Sequence, residues 1–248
     1  MDHAVLLLII GFFANAFAAM AGGGVGLIQL PLLLFLGLPY PQALATHKVA
    51  SVALGVGAGS RYLGSGILDR SFVLLMLLAG LPGVFLGSMV VLAIPEHLIR
   101  LVLGVLTMGL GVYSLVRHEL GQIAAPRHRD RRGMFLGALG LFVIGFLNGS
   151  ITSGTGLFCT LWLVHWFGFD YKAAIALTMT LVGLVWNAAG AATLGSFGGI
   201  HWAWLPWLLT GAVTGSYAGA HVALGSSNRW IKKAFEVLTI CVGVRLLA

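Results

Sequence analysis

The sequence predicts an all-α integral membrane protein built from two inverted-topology repeats of about five apolar segments each. Three observations lead there: a composition too apolar for a water-facing globule, an internal duplication running through nearly the whole chain, and a loop-charge pattern that turns one copy over relative to the other.

Apolar residues make up 59% of the 248 positions and charged residues 8%, with a mean hydropathy of +0.99. Too few polar groups remain to cover a soluble surface, so lipid is the expected solvent. A spanning helix needs ~20 mainly apolar residues, which leaves room for about eight to ten membrane segments, read as eight full spans plus short or re-entrant helices, and for no sizeable soluble domain. The formal charge of +7 is carried by residues at the ends of apolar runs rather than by an aromatic-interleaved face, so membrane topology explains it better than nucleic acid. Cys159 and Cys241 are the only cysteines, and their spacing suggests neither a metal site nor a disulfide framework.

The duplication pairs Gly24-Val25-Gly26-Leu27 with Gly154-Thr155-Gly156-Leu157. With one extra residue in the second copy, Gly37, Tyr40, Ala43 and Ala45 fall on Gly168, Tyr171, Ala174 and Ala176. Gly83 and Gly87 meet Gly215 and Gly219, and Val105-Leu106-Thr107 meets Val237-Leu238-Thr239. An ordered run of this length defines a first membrane repeat at 1–116, a basic linker at 117–132 and a second membrane repeat at 133–248.

In the first repeat the apolar segments run at about 4–20, 25–37, 43–64, 71–92 and 97–116. The first of these ends in Ala16-Phe17-Ala18, which resembles a signal-peptide cleavage site. Its leading region carries Asp2 and no Lys or Arg, and the segment has a counterpart in the second repeat, so it reads as a retained span. The second segment follows a glycine-rich break and is only about 13 residues long, the length of a half-helix or re-entrant piece. The second repeat gives segments at about 133–150, 155–168, 172–194, 202–223 and 230–247, with the same short piece after its break. Trp202, Trp204, Trp207 and Trp230 sit at segment ends, as interfacial anchors do.

The linker holds Arg117, Pro126, Arg127, Arg129, Arg131 and Arg132 and belongs in the cytoplasm by the positive-inside rule. With parallel repeats, Lys48, Arg100, Lys172, Arg229, Lys232 and Lys233 would all lie outside. With an odd number of crossings per repeat, Arg61, Arg70, Lys172, Arg229, Lys232 and Lys233 join the linker inside. Lys48, Arg100 and Arg245 alone stay outside. The inverted arrangement, with both termini outside, obeys the rule.

The two breaks, Gly22-Gly23-Gly24 with Gly26 and Ser153-Gly154-Thr155-Gly156, carry the functional expectation. Irregular backbone is tolerated in a bilayer only where protein buries it or a watery cavity receives it. A short helix starting at each break would aim its N-terminus at that cavity and favour an anion. Inverted repeats bring such breaks together near the midplane. The expected substrate-binding residues are Gly22, Gly23, Gly24, Gln29, Thr46, His47, Lys48, Asn148, Ser153, Gly154, Thr155 and Thr178.

For Asn15, Gln29, Asn148, Thr152, Ser153 and Thr155 taken singly, interhelical hydrogen bonding worth about 0.6 kcal/mol is the competing role. Lys48 either snorkels outward or turns inward and attracts an anion. His47 gains charge below about pH 6.5 and could link transport to protons. Arg61 lies deep enough for a pathway residue, with snorkelling its default. Glu236, one helical turn after Lys232, reads as an ion pair, and the scarcity of other intramembrane carboxylates tilts the substrate toward an anion. Gly133, Gly137 and Gly140 read as close-packing positions. His165, His201 and His221 are scattered, with no metal-ligand spacing, and there is no Walker motif, so neither metal, cofactor nor ATPase chemistry is expected.

The break followed by Pro31-Leu32-Leu33-Leu34, Gly37-Leu38-Pro39 and Ala43-Leu44-Ala45-Thr46, with a degenerate second copy, resembles the sulfite exporter TauE/SafE family, also called the toluene sulfonate uptake permease family. The resemblance covers nearly the whole chain. It implies a multi-pass carrier of the prokaryotic inner membrane for small anions, typified by sulfite, thiosulfate, sulfoacetate and related sulfonates. The chain departs from that pattern at His47, where the family commonly has serine, and in the second break, diluted by Ser153 and Thr155.

The function expected is secondary transport of a small anion by alternating access, with coupling to protons left open. The partners expected are that anion and the lipid bilayer, with no nucleic acid and with a homo-oligomer left open. Two alternatives stand beside it: an intramembrane enzyme acting on thiol or lipid-linked substrates, for which Cys159 is the candidate nucleophile, and a membrane subunit of a larger complex.

Overall fold

Glycine, proline and a few polar caps punctuate an otherwise apolar chain, and they set the ends of its helices. The computed structural model describes residues 2–90, 101, 105, 108, 109, 111–116, 120–150 and 154–247, and every regular element among them is helical. In the first half these are α1 (Asp2–Ala21), α2 (Gly26–Phe35), α3 (Tyr40–Leu63) and α4 (Arg70–Val90). Most of the expected segment at 97–116 lies outside the described residues; residues 111–116 are helical. In the second half come α5 (Arg131–Ser150), α6 (Thr155–Phe167), α7 (Tyr171–Thr178), α8 (Asn187–Gly198), α9 (Leu205–Gly225) and α10 (Asn228–Leu247).

Local chemistry accounts for the boundaries. Gly168 closes α6 in the left-handed region at φ 71°, and the Asp170 side chain accepts a hydrogen bond from the Ala173 N–H to cap α7, the usual role of a short carboxylate there. Pro39 precedes α3, whose first turn tolerates Pro41 because its N–H would be unpaired anyway.

Two stretches differ from the expected uninterrupted helices. Between α7 and α8, Met179–Trp186 forms a π-helix, and before α9, Trp202–Trp204 forms a 3₁₀ turn. Wider i→i+5 turns of this kind concentrate at functional positions, and no local composition signal marks them in advance.

Among the described residues, four helices are long and apolar enough to cross a membrane: His3–Ala21, Arg70–Val90, Arg131–Ser150 and the broken helix Tyr171–Ser196. The helices after the two breaks, Gly26–Phe35 and Thr155–Phe167, are apolar and short, as the segment lengths predict.

Glycines set how the halves meet. The first segment of each half packs along the fourth segment of the other, α1 on α9 and α5 on α4. The bare Cα of Gly83 rests on the Phe142 carbonyl and that of Gly87 on the Phe146 carbonyl. Their counterparts Gly215 and Gly219 rest on the carbonyls of Phe12 and Ala16, the matching residues of α1. A side chain at any of the four would drive the backbones apart.

The third segments cross at the centre. Gly59 lies beside Thr180, Gly55 against Gly183 and Leu184, and the Lys48 side chain beside Gly190. As α3 advances its partner number falls, so α3 runs antiparallel to the α7–α8 segment. Gly133, Gly137 and Gly140 take the packing role expected of them, against the His128 backbone and the rings of Phe167 and Trp162.

The linker lies along the α6–α7 turn. Ala125 N–H donates to Gly168 O, Arg127 N–H to Phe167 O and Tyr171 N–H to Gly121 O. Arg129 stacks over Phe72 and Phe169 and pairs with Asp69 at 3.8 Å. The expected Lys232–Glu236 pair forms at 2.9 Å, and both residues are buried. Ser114 Oγ donates to Glu236 Oε1, while Lys232 Nζ donates to Ser114 O.

Candidate functional site

The two breaks touch. Gly22, Gly23 and Gly24 have φ of 87°, 140° and 94°, backbone open to glycine and strained for other residues. That path folds the chain back from α1 into α2 and lays Gly23 on the peptide joining Gly156 to Leu157. Thr160 Oγ1 ties the junction by donating to Gly22 O at 2.9 Å. Opposite, Gly154 has φ 76° and leads into α6.

A cavity of about 30 Å³ sits at this junction, lined by Gly24, Val25 and Gly26 from the start of α2 and by Gly154, Thr155 and Gly156 from the start of α6. That is room for one or two water molecules. Both short helices therefore present their N-terminal turns to one space, the ends where backbone N–H groups and the helix dipole favour negative charge. The wall is completed by His47, Ser51 and Leu54 from one face of α3, by Asn148 and Asn187, and by Met179, Val182 and Gly183 of the π-helix. No carboxylate lines it among the described residues.

Lys48 turns inward and is fully buried. Its Nζ donates to Asn148 O at 2.6 Å, Asn148 Oδ1 at 2.8 Å and Asn187 Oδ1 at 3.1 Å. Three acceptors match the three protons of an ammonium group. The Asn148 carbonyl lies in the last turn of α5, where carbonyls lack helical partners and the dipole is negative, so Lys48 also caps that helix. The ammonium thus stands one residue behind the cavity and holds Asn148, whose Nδ2 donates to Thr155 Oγ1 at 2.9 Å.

His47 faces the cavity from beside Lys48. Its Nδ1 is 2.8 Å from Gln29 Oε1 and its Nε2 is 3.3 Å from Ser51 Oγ. Ser51 Oγ also donates to His47 O at 2.9 Å.

Of the expected site residues, Gly24, His47, Asn148, Gly154 and Thr155 line the cavity. Gly22, Gly23, Gln29 and Lys48 stand directly behind it. Thr178 lies outside the wall, 3.1 Å from the Thr160 hydroxyl, and Thr46 accepts from the His201 N–H at 3.0 Å. Ser153 and Thr152 lie outside the described residues. Asn15 donates to Gly11 O within its own helix. Arg61 neither enters the cavity nor extends freely, since Nη2 meets His221 Nδ1 at 2.8 Å and the guanidinium lies over Tyr217. Cys159 is packed in the larger apolar core.

Two polar wall residues, Ser51 and Asn187, are not among the expected site residues. Ser51 sits one turn after His47 and was legible as the same helix face. Asn187 gave one signal, an amide inside an otherwise apolar run, which in a membrane marks an interior contact. Among the described residues no cluster of His, Cys, Asp and Glu could hold a metal ion.

A helical bundle with spanning segments, two short apolar helices that begin at glycine breaks and a polar site at their meeting point defines a multi-pass protein of the cell membrane. The chain belongs to the sulfite exporter TauE/SafE family, whose model matches residues 7–246. Relatives along the whole length include a probable membrane transporter protein, ORF9, of Sinorhizobium, 27% identical over 247 residues that cover 99% of this chain and 93% of the relative. A probable membrane transporter protein of Haemophilus influenzae is 26% identical, covering 99% and 95%. The probable membrane transporter protein YfcA of Escherichia coli K12 is 24% identical, covering 98% and 88%. No solved structure matches significantly. The chain is accordingly a membrane transporter of this family.

Proposed function

We propose that the protein is a secondary transporter of small anions, of the class of sulfite, thiosulfate and organosulfonates, that works by alternating access and is coupled to the proton gradient. The observation that carries this reading is the meeting of two helix N-termini at one cavity that no carboxylate lines among the described residues, with the Lys48 ammonium close behind. Cation carriers need the opposite inventory.

The antiparallel course of α3 and the α7–α8 segment, with the exchanged glycine contacts of α1–α9 and α4–α5, supports two inverted repeats with eight full spans. In such a design the halves rock about a central site, exposing it to each side in turn. The cavity is smaller than the anions proposed, so binding goes with an opening of the junction between the breaks.

The test is flux into liposomes holding the purified protein, using radiolabelled sulfite, thiosulfate and sulfoacetate, beside a thermal-stability screen with the same anions. A saturable flux together with a rise in stability is expected, since a ligand that binds only the folded state raises its stability by mass action. No flux and no stabilisation with any member of the panel would overturn the assignment.

A further inference from the structure

The second half repeats the first at this site with different side chains. The Gln29–His47 contact, 2.8 Å, ties α2 to α3, and the Thr160–Thr178 contact, 3.1 Å, ties α6 to α7. His47 and Thr178 are matching positions of the duplication. Only the first-half tie can carry a proton, and only His47 of that pair faces the cavity.

The ring has a partner in either protonation state. Gln29 Oε1 can only accept, so in this arrangement Nδ1 carries a proton. The Ser51 hydroxyl lies within reach of both His47 O and His47 Nε2. Its one proton goes to Nε2 when the ring is neutral, and to His47 O when Nε2 is itself protonated and donates to Ser51 Oγ. The pair therefore has two self-consistent states, one with a proton more than the other, interchanged by rotating one hydroxyl.

The surrounding charges say when each state prevails. Among the described residues, the cavity-facing positions of α2, α5, α6, the π-helix and α8 include no titratable group, and His47 is the wall's only one. The charged neighbour is Lys48 on the same helix, held by Asn148 and Asn187; the His201 backbone meets the preceding residue, Thr46. An empty site with two cations side by side would be repelled in a medium of low dielectric constant. One ammonium neutralises a monoanion, and a dianion leaves one negative charge over.

We infer that His47 is the proton-binding residue of this site, taking up a proton when a dianionic oxyanion enters and releasing it when the anion leaves. The inference rests on the anion-transporter reading and narrows it: the carried species is a dianion moving with one proton. The proton comes from the aqueous side that the anion enters and returns to water on the other side, with no other bond made or broken.

Thiosulfate and sulfate are suitable probes because neither titrates near neutral pH. Purified protein in weakly buffered detergent solution, mixed with either, is expected to take up about one proton per dianion bound. With ring-¹⁵N-labelled histidine, one resonance should pass from the neutral to the imidazolium pattern on anion addition. Its assignment comes from its absence in anion-free His47→Gln and His47→Ser proteins, which requires only that either variant fold. Binding with no proton uptake, or an imidazolium arising at a histidine other than His47, overturns this inference and leaves the anion site standing. Failure of the wild-type protein to bind either dianion, judged by thermal stability, overturns it as well, and failure across the wider sulfite and sulfoacetate panel removes the transporter reading itself.

Discussion

Gly23 lies so close to Gly156 that a methyl group at position 23 would stand 2.7 Å from the Gly156 carbonyl carbon. At this contact the two breaks meet through bare backbone, which makes the junction intolerant of any side chain. Gly23→Ala combines a strained φ of 140° with overpacking, and together these cost about 3 kcal/mol. Gly37→Ala provides the control, because its φ is 93° yet nothing lies within 4 Å of the added methyl; strain alone costs about 1 kcal/mol. Denaturant titration in mixed micelles and liposome flux should both separate the two. Equal losses for the two variants would show that backbone strain alone, not the meeting of the breaks, governs position 23.

Lys48 serves Asn148 before it serves any anion. Replacing it by methionine leaves Asn148 O, Asn148 Oδ1 and Asn187 Oδ1 without the ammonium donor, at a cost of about 2 kcal/mol or more. Anion flux should fall with it, by more than tenfold, since both the charge and the hold on Asn148 go. Gly190→Ala approaches the same group from the far side, placing a methyl 3.1 Å from Lys48 Nζ. That variant should fold with a small stability loss, under about 1 kcal/mol, because the end of a flexible side chain can yield. Its flux should nevertheless drop, and wild-type flux in Gly190→Ala would mean that the ammonium's exact position is unimportant.

The breaks were readable because their chemistry is local. Three consecutive glycines cannot be explained by close packing of one face, and the matching Gly154-Thr155-Gly156 gave the break a partner. The α6–α7 turn was legible in the same local way, as the gap between the apolar segments at about 155–168 and 172–194. Lys48 was only half readable: its depth in an apolar run offered snorkelling or burial, and the choice depends on Asn148 and Asn187, which lie 100 and 139 residues away. The π-helix at Met179–Trp186 left no mark at all, since it arises where α3 presses Gly55 against Gly183 and Leu184 rather than from the residues' own preferences. Ser51 was left out of the expected site although it follows His47 by one turn on the same helix face.

Lys232 and Glu236 form a buried pair whose side chains are 7% and 11% exposed. Removing one member strands the other's charge, and Lys232→Met should destabilise the protein by roughly 3–5 kcal/mol. Adding Glu236→Leu removes the stranded carboxylate, so the double variant should return to within about 1 kcal/mol of wild type. Micelle unfolding of the two singles and the double gives the coupling directly. Additive losses would show that the pair does not act as a unit.

The inverted arrangement makes a definite statement about sides. Asn228 Nδ2 donates to Gln122 O, so the α9–α10 turn lies on the same side of the protein as the linker, and the positive-inside rule puts that side in the cytoplasm. His3 packs on Trp204 and Thr46 receives the His201 N–H, which gathers the starts of α1, α3 and α9 on the opposite side. In a Cys159→Ala, Cys241→Ala background, an impermeant maleimide should therefore label Ser196→Cys in intact right-side-out vesicles. Arg127→Cys and Ser227→Cys should react only after permeabilisation. Parallel repeats would place the linker and the α9–α10 turn on opposite sides, so reaction of Ser227→Cys from outside, with Arg127→Cys still protected, would refute the inverted topology.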